Sequence, residues 1–319
     1  MKLQAAVQYL AITLMVTCGV TTASAQTYPH KPIRLLTNPP GGAPDFTARV
    51  IAQTLSGGLG QQLVVDNRPA VIAIESAARS AADGYTLVVT GSALWLTPFM
   101  RSNTTWDPLA DFLPVTLAIS APTILVVHPS LPVKSVADLV ALARKNPGAL
   151  NYASTATGTI PHIAAELFKT MTGANIARVP YKGAGPALVA VVSGEVHTAF
   201  ATTSSVMPHI RAGRLRALAV SSAKPSTLAP GLPTVAASVA GYEAVSIIGI
   251  FAPARTPEAI ITLLNREFVR VLNQNDVREK FLGMGAESVG STPAQLTAMV
   301  KSEMTRLGKM IKDAGIREQ

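Results

Sequence analysis

Cysteine is almost absent from this chain: Cys18 is the only one in 319 residues, and it sits in an apolar stretch near the N-terminus. If that stretch is removed as a leader, the remaining chain has no disulfide, no thiolate nucleophile and no cysteine-ligated zinc. Aromatic residues make up only 5% and are not interleaved with a basic run, so the pattern of a nucleic-acid-binding surface is missing. The histidines His30, His128, His162, His197 and His209 are too dispersed for the spacing of a helical metal site. Gly-x-Ser-x-Gly, His-Glu-x-x-His and a phosphate-binding loop are all lacking. Ser221-Ser222-Ala223-Lys224 does match Ser-x-x-Lys, but it runs into Pro225 and has none of the companion motifs of serine acyl-enzymes. Neither an enzyme nor a cofactor is therefore expected. After the leader, no stretch reads as a membrane span; the most apolar, Leu232 to Ala254, carries Gly241, Glu243 and turn prolines.

What is present begins with that leader. Met1-Lys2 precedes an apolar run from Ala5 to Val20, and Ala23-Ser24-Ala25 before Gln26 is a small-x-small cleavage pattern. Cleavage after Ala25 is expected, with export to the periplasm and a mature start at Gln26. Thr17 precedes Cys18 where lipid attachment wants a smaller residue. Without Lys2, 26 lysines and arginines face 18 acidic residues, a formal charge of +8 that favours anionic solutes or surfaces. A mature chain of this length exceeds one compact core, so two α/β domains are expected.

Strand-like and helix-like segments alternate, the signature of parallel sheets flanked by helices. Strands are expected at 33–37, 63–66, 86–90, 124–127, 150–153, 177–180, 196–200, 215–220 and 246–252. Helices are expected at 46–55, 135–145, 160–170, 186–193, 257–272 and 293–313. No low-complexity linker separates two halves, so the chain should cross between domains on strands. Two turns stand out. After Ile33 to Thr37, the run Pro39-Pro40-Gly41-Gly42-Ala43-Pro44-Asp45 opens a helix, an arrangement that turns backbone amides and the helix dipole toward an anion. Taken alone, such a turn is more often ordinary α/β punctuation than a binding site. A second turn, Ser154-Thr155-Ala156-Thr157-Gly158-Thr159, leads into Ile160-Pro161-His162 and repeats that logic at another strand end.

Ordered motifs run through most of the mature sequence. They include Tyr28-Pro29, Lys31-Pro32-Ile33-Arg34, Pro40-Gly41-Gly42 with Asp45 and Ala48-Arg49, Asn67-Arg68-Pro69, and Asp83-Gly84-Tyr85-Thr86-Leu87. Tyr152-Ala153-Ser154 with Gly158-Thr159 and His162, Glu166-Leu167-Phe168, and Val179-Pro180-Tyr181-Lys182-Gly183 with Pro186-Ala187-Leu188 follow. The series closes with Pro208 to Val220 and Phe251-Ala252-Pro253. On these motifs the chain resembles the Bug receptors, the extracytoplasmic solute receptors of tripartite tricarboxylate transporters. The resemblance implies an α/β periplasmic-binding-protein fold, two Rossmann-like lobes joined by a hinge with a ligand cleft between them. Residues 1–25 would be the leader, 26–123 and 248–319 the first lobe and 124–247 the second. It also implies a monomeric receptor for a small carboxylate, held by loop amides and waters, that serves a membrane permease or, as an orphan, a sensor. No nucleic-acid partner is expected.

The ligand-binding candidates are Pro40, Gly41, Gly42, Asp45, Ile72, Ala73, Ser92, Ser154, Thr155, Gly158, Thr159, His162, Tyr181 and Lys182. Several have a structural reading beside the functional one. Asp45 can pair with Arg49 one helical turn on. The hydroxyls of Ser154, Thr155 and Thr159 suit local capping, and His162 suits bracing of its loop. Tyr181 and Lys182 follow a strand end and border either cleft or solvent. Three departures from the family pattern matter: a short, glycine-poor segment after Pro69, Ala156 where glycine is common, and Ala201 where an acidic residue is frequent. The first is expected to cost the first lobe a hydrogen-bond donor and to leave space walled by Ile72 and Ile74. That space would favour a bulkier monocarboxylate or aromatic acid over citrate. Ala201 argues against an amino-acid ligand.

Overall fold

The computed structural model describes residues 28–317 except 56, 57, 156, 157 and 182. The leader and its cleavage site, Ala156 and Lys182 therefore lie outside the described residues. In chain order the elements are β1 (Ile33–Thr37), α1 (Ala43–Leu55), β2 (Leu63–Asn67), α2 (Ala70–Ala78), β3 (Thr86–Thr90), α3 (Ala93–Met100) and the long β4 (Phe112–Val127). There follow α4 (Val136–Lys145), β5 (Leu150–Ser154), α5 (Ile160–Thr172), β6 (Ile176–Pro180), α6 (Ala184–Val192), β7 (Thr198–Thr202), α7 (Thr203–Arg211) and β8 (Arg216–Val220). The last are β9 (Val245–Pro253), α8 (Glu258–Leu272), α9 (Asn275–Gly283), β10 (Glu287–Ser288) and α10 (Pro293–Asp313).

The strands are ordered β2-β1-β3-β9-β4-β7-β5-β6. β1 runs parallel to β2 and β3, and β5 runs parallel to β6 and β7, while β4 and β9 are antiparallel to their partners. β4 belongs to both halves of this arrangement. Phe112 to Pro122 pairs with β9, and from Thr123 to Val127 the strand pairs with β7 and β8 instead. The chain thus passes between its two α/β units along a strand.

Strand periodicity explains why helices cover both faces. In the first unit Ile33, Leu35, Leu87, Val89 and Ile250 share a core with Ile51 of α1 and Leu264 and Phe268 of α8. Their neighbours Leu36, Val88 and Phe251 point the other way, onto Ile74 of α2 and Trp95 of α3. In the second unit Leu125 and Val127 pack with Leu139 of α4 and Phe168 of α5, while Ile124 and Val126 pack with Val191 of α6 and Val206 of α7. Helix ends follow local chemistry. The Ser135 hydroxyl accepts from the Asp138 amide, Thr292 and Gln295 form a reciprocal capping box, and Gly173 ends α5 in the left-handed region. Among the described residues no helix is long and apolar enough to cross a membrane.

Some elements depart from expectation. The first part of β4 was not foreseen, because Pro114 and Pro122 interrupt it. The strand tolerates Pro114 next to one of two register shifts, at Pro114/Thr116 and Leu117/Ile119. Helices α2, α3, α7 and α9 were also unforeseen. α2 and α3 are apolar around most of their circumference, so they lack the amphipathic period that marks a helix, and α3 contains Pro98.

Candidate functional site

The carboxyl ends of the parallel strands converge on a cleft of about 510 Å³. From the first unit, Asn38 after β1, Pro44 at the start of α1, and Ser92 and Thr97 around α3 form one wall. From the second, Thr155 after β5, Gly158 and Thr159 before α5, and Thr202 at the end of β7 form the other. The floor is made where the long strands pass between units, by Ala121 and Thr123 of β4 and Ser246 and Ile248 of β9. Among the described residues no Lys, Arg, His, Asp or Glu lines this cleft. From these residues a charge on a ligand would meet hydroxyls, amides and the N-terminal ends of α1, α3 and α5. Asn38 Oδ1 and Thr123 Oγ1 are buried without a hydrogen-bond partner, so the first wall and the floor each carry a polar atom that the protein itself does not satisfy. Among the described residues no three His, Cys, Asp or Glu side chains gather as a metal would need.

The first turn is braced from behind. Gly41 has φ 90°, and its amide donates to Asp45 Oδ2 at 3.1 Å. Asp45 Oδ1 accepts from Arg49 Nε at 2.9 Å and from Asn67 Nδ2 at 2.7 Å, and Asn67 Nδ2 also donates to the Asn38 carbonyl at 2.6 Å. Burial alone would raise the Asp45 carboxyl, but the bonds from Asn67, Arg49 and Gly41 outweigh it and hold the pKa below the usual carboxylate range. Asp45 thus fixes the turn and does not reach the cleft wall. Pro40, Gly41 and Gly42 shape the same turn, and the chain meets the cleft at Asn38, Ala43 and Pro44 instead.

The second turn is held in a similar way. Arg178 of β6 donates from Nε to Ser154 Oγ at 2.8 Å and from Nη2 to the Thr155 carbonyl at 2.9 Å. The Gly158 amide donates to His162 Nδ1 at 3.2 Å. Burial, with Arg178 nearby, pushes His162 down to about 4, so the ring is neutral at pH 7 and acts as an acceptor. Ser154 and His162 therefore support the turn from beneath, while Thr155, Gly158 and Thr159 face the cleft. Tyr181 donates through its hydroxyl to Glu195 Oε1 at 3.3 Å and is not on the cleft wall.

The expectation for Ile72 and Ala73 needs correction. The segment after Pro69 is helix α2 and not a loop that offers amides. Ala73 and Ile74 are fully buried in the core, Ile72 is exposed, and none of them lines the cleft. Helical hydrogen bonding already occupies the interior amides there, so the vacated apolar space and the preference built on it lapse. Ser92, Thr155, Gly158 and Thr159 are the candidates that the fold does bring together. Asn38, Thr97, Met100, Thr123, Thr202, Ser246 and the brace Arg178 were missed. Asn38 was open to discovery, because it directly follows a parallel strand, the position where ligands of such sheets sit. Thr123 and Ser246 carry no local signal, since the strand crossing alone makes them neighbours.

Two α/β units with a cleft between their strand ends, rimmed by hydroxyls and helix N-termini, define the solute-binding proteins of the periplasmic type. The tripartite tricarboxylate transporter family receptor model matches residues 47–316, and this chain belongs to that family. It is 37% identical over 309 residues to the protein BugT of Bordetella pertussis, covering 94% of this chain and 95% of BugT. A solved structure of R. palustris Rpa4515 with adipate shares 38% identity at TM-score 0.75, covering 91% of this chain and 99% of that one. MatC from Rhodopseudomonas palustris with bound malate shares 27% identity at TM-score 0.70, covering 89% of this chain and 100% of that one.

Proposed function

We propose that the protein is a periplasmic receptor that captures a small carboxylated solute in this cleft and passes it to a tripartite tricarboxylate-type permease. The observation that carries the reading is a cleft into which the N-terminal ends of α1, α3 and α5 open and which no charged side chain lines among the described residues. Helix ends stabilise an anion without a counter-ion, and neutral walls release it more readily than a buried ion pair would. Adipate and malate in the solved relatives support the same ligand class. An orphan receptor that reports to a sensor would use the same cleft. A permease encoded beside the receptor, and loss of uptake on its deletion, separates the two.

Ligand that binds only the native state raises stability by about 2.7 kcal/mol at a hundredfold excess over Kd. A thermal-shift panel of adipate, malate, citrate, aromatic acids, amino acids and sugars should therefore show stabilisation by carboxylates. Stabilisation by sugars or cations alone refutes the reading. Closure would bring residues 26–123 and 248–319 toward 124–247 about the crossings near Thr123 and Val245. Small-angle scattering should then show a smaller radius of gyration with adipate or malate. The exported protein should begin at Gln26; an intact Met1 on a cytoplasmic product contradicts the periplasmic assignment.

A further inference from the structure

Beneath the second turn lies a side chamber of about 40 Å³ that shares Thr155, Pro161 and Thr202 with the main cleft. Its other walls are mostly small or apolar: Ala153, Ala187, Leu188, Phe200 and Ala201. The volume holds one group the size of a water molecule or a methyl. The hydroxyls around it are already engaged. Ser154 Oγ accepts from Arg178 and donates to the Thr155 carbonyl, and Thr155 Oγ1 pairs with Thr159 Oγ1 at 2.9 Å. Thr202 Oγ1 donates to Ser205 Oγ at 2.9 Å, and Ser205 Oγ donates to the Thr202 carbonyl at 2.8 Å. A buried water needs two to four polar partners, and among the described residues these walls offer few that are not committed, whereas a methyl needs none.

We propose that this chamber is a subsite for a methyl-sized apolar branch, so that the receptor selects a short branched-chain carboxylate over its unbranched parent. The carboxylate would sit at the helix ends of the main cleft and the branch would pass between Thr155 and Thr202. The assignment rests on the carboxylate-receptor reading given above. Ala201 on β7 and Ala187 on α6 wall the chamber from different elements, and neither lines the main cleft.

Isothermal titration of the full protein with adipate against 3-methyladipate, and with succinate against 2-methylsuccinate, tests it. In at least one pair the branched acid should bind about fourfold more tightly, the value of one buried methylene. Ala201→Val and, separately, Ala187→Val should abolish that advantage while the Kd of the unbranched acid stays within about twofold. Tight unbranched binding with no advantage in either pair overturns the chamber and leaves the carboxylate reading intact. Equal losses for both acids of a pair in both variants also overturn it, since the chamber would then only support the turn. Failure of all four acids to bind overturns the chamber and the carboxylate reading together.

Discussion

Gly158→Ala is expected to weaken carboxylate binding by tenfold or more and to lower stability by about 1–2 kcal/mol, the cost of placing a side chain in the left-handed region. Gly158 has φ 81°, and a Cβ built there lies 2.9 Å from Met100 Sδ and 3.0 Å from Met100 Cε. Met100 ends α3 on the first wall, so the new methyl pushes against the opposite side of the cleft. The same residue donates its amide to His162, which sets the start of α5. Strain in Gly158 therefore reaches Thr159 and the helix end that would face the anion. Gly213→Ala separates the two effects. Its φ is 68° and a Cβ there meets nothing within 4 Å, so it should lose comparable stability and bind normally. In a Met100→Ala background, Gly158→Ala should cost less affinity than in the wild type. Unchanged binding by Gly158→Ala in thermal-shift and calorimetric titrations would remove the second turn from the site.

How far the sequence discloses this site depends on whether the information is local. β1 occupies Ile33 to Thr37 as its apolar run between proline-rich turns predicts, and α10 spans Pro293 to Asp313 as its proline start and apolar period predict. Turn chemistry at strand ends likewise pointed to Ser92, Thr155, Gly158 and Thr159, which line the cleft. The same reasoning left two readings open for residues whose roles depend on depth. Asp45 and Ser154 occupy turns of the right kind, yet their side chains point to Arg49, Asn67 and Arg178 behind the wall. Ile72 and Ala73 went wrong for a different reason. A helix buried on much of its surface carries an unbroken apolar run, and Ala-Val-Ile-Ala-Ile after a proline reads as loop or strand until its packing is known. Thr123 and Ser246 come together only because β4 and β9 cross between the units, a relation made over more than a hundred residues of chain.

Two buried groups should give the pH dependence of stability opposing contributions through the mildly acidic range. Glu303 of α10 is 3% exposed. Burial raises its carboxyl to about 7, against the lowering effects of the Trp95 Nε1–H bond at 2.8 Å and of Arg306, with Glu243 adding to the rise. His162 is held at about 4, as described. Between pH 4.5 and 7 the native state keeps a proton on Glu303 that the unfolded chain releases, so this contribution is lost as pH rises. Between pH 6.5 and 4 the unfolded chain binds a proton on His162 that the native state refuses, so that contribution is lost as pH falls. Over the shared range the two slopes have opposite sign. Each amounts to about 3 kcal/mol when fully developed, at about 1.36 kcal/mol per pKa unit. Glu303→Gln keeps an acceptor for Trp95 and removes the first slope, so relative to wild type its unfolding free energy should climb as pH rises from 4.5 to 7. His162→Gln keeps an acceptor for the Gly158 amide and removes the second, so it should gain on wild type as pH falls from 6.5 to 4. Urea titrations at unit pH steps from 4 to 8 read both differences directly. Constant offsets from wild type across that range would show that burial does not hold Glu303 and His162 neutral.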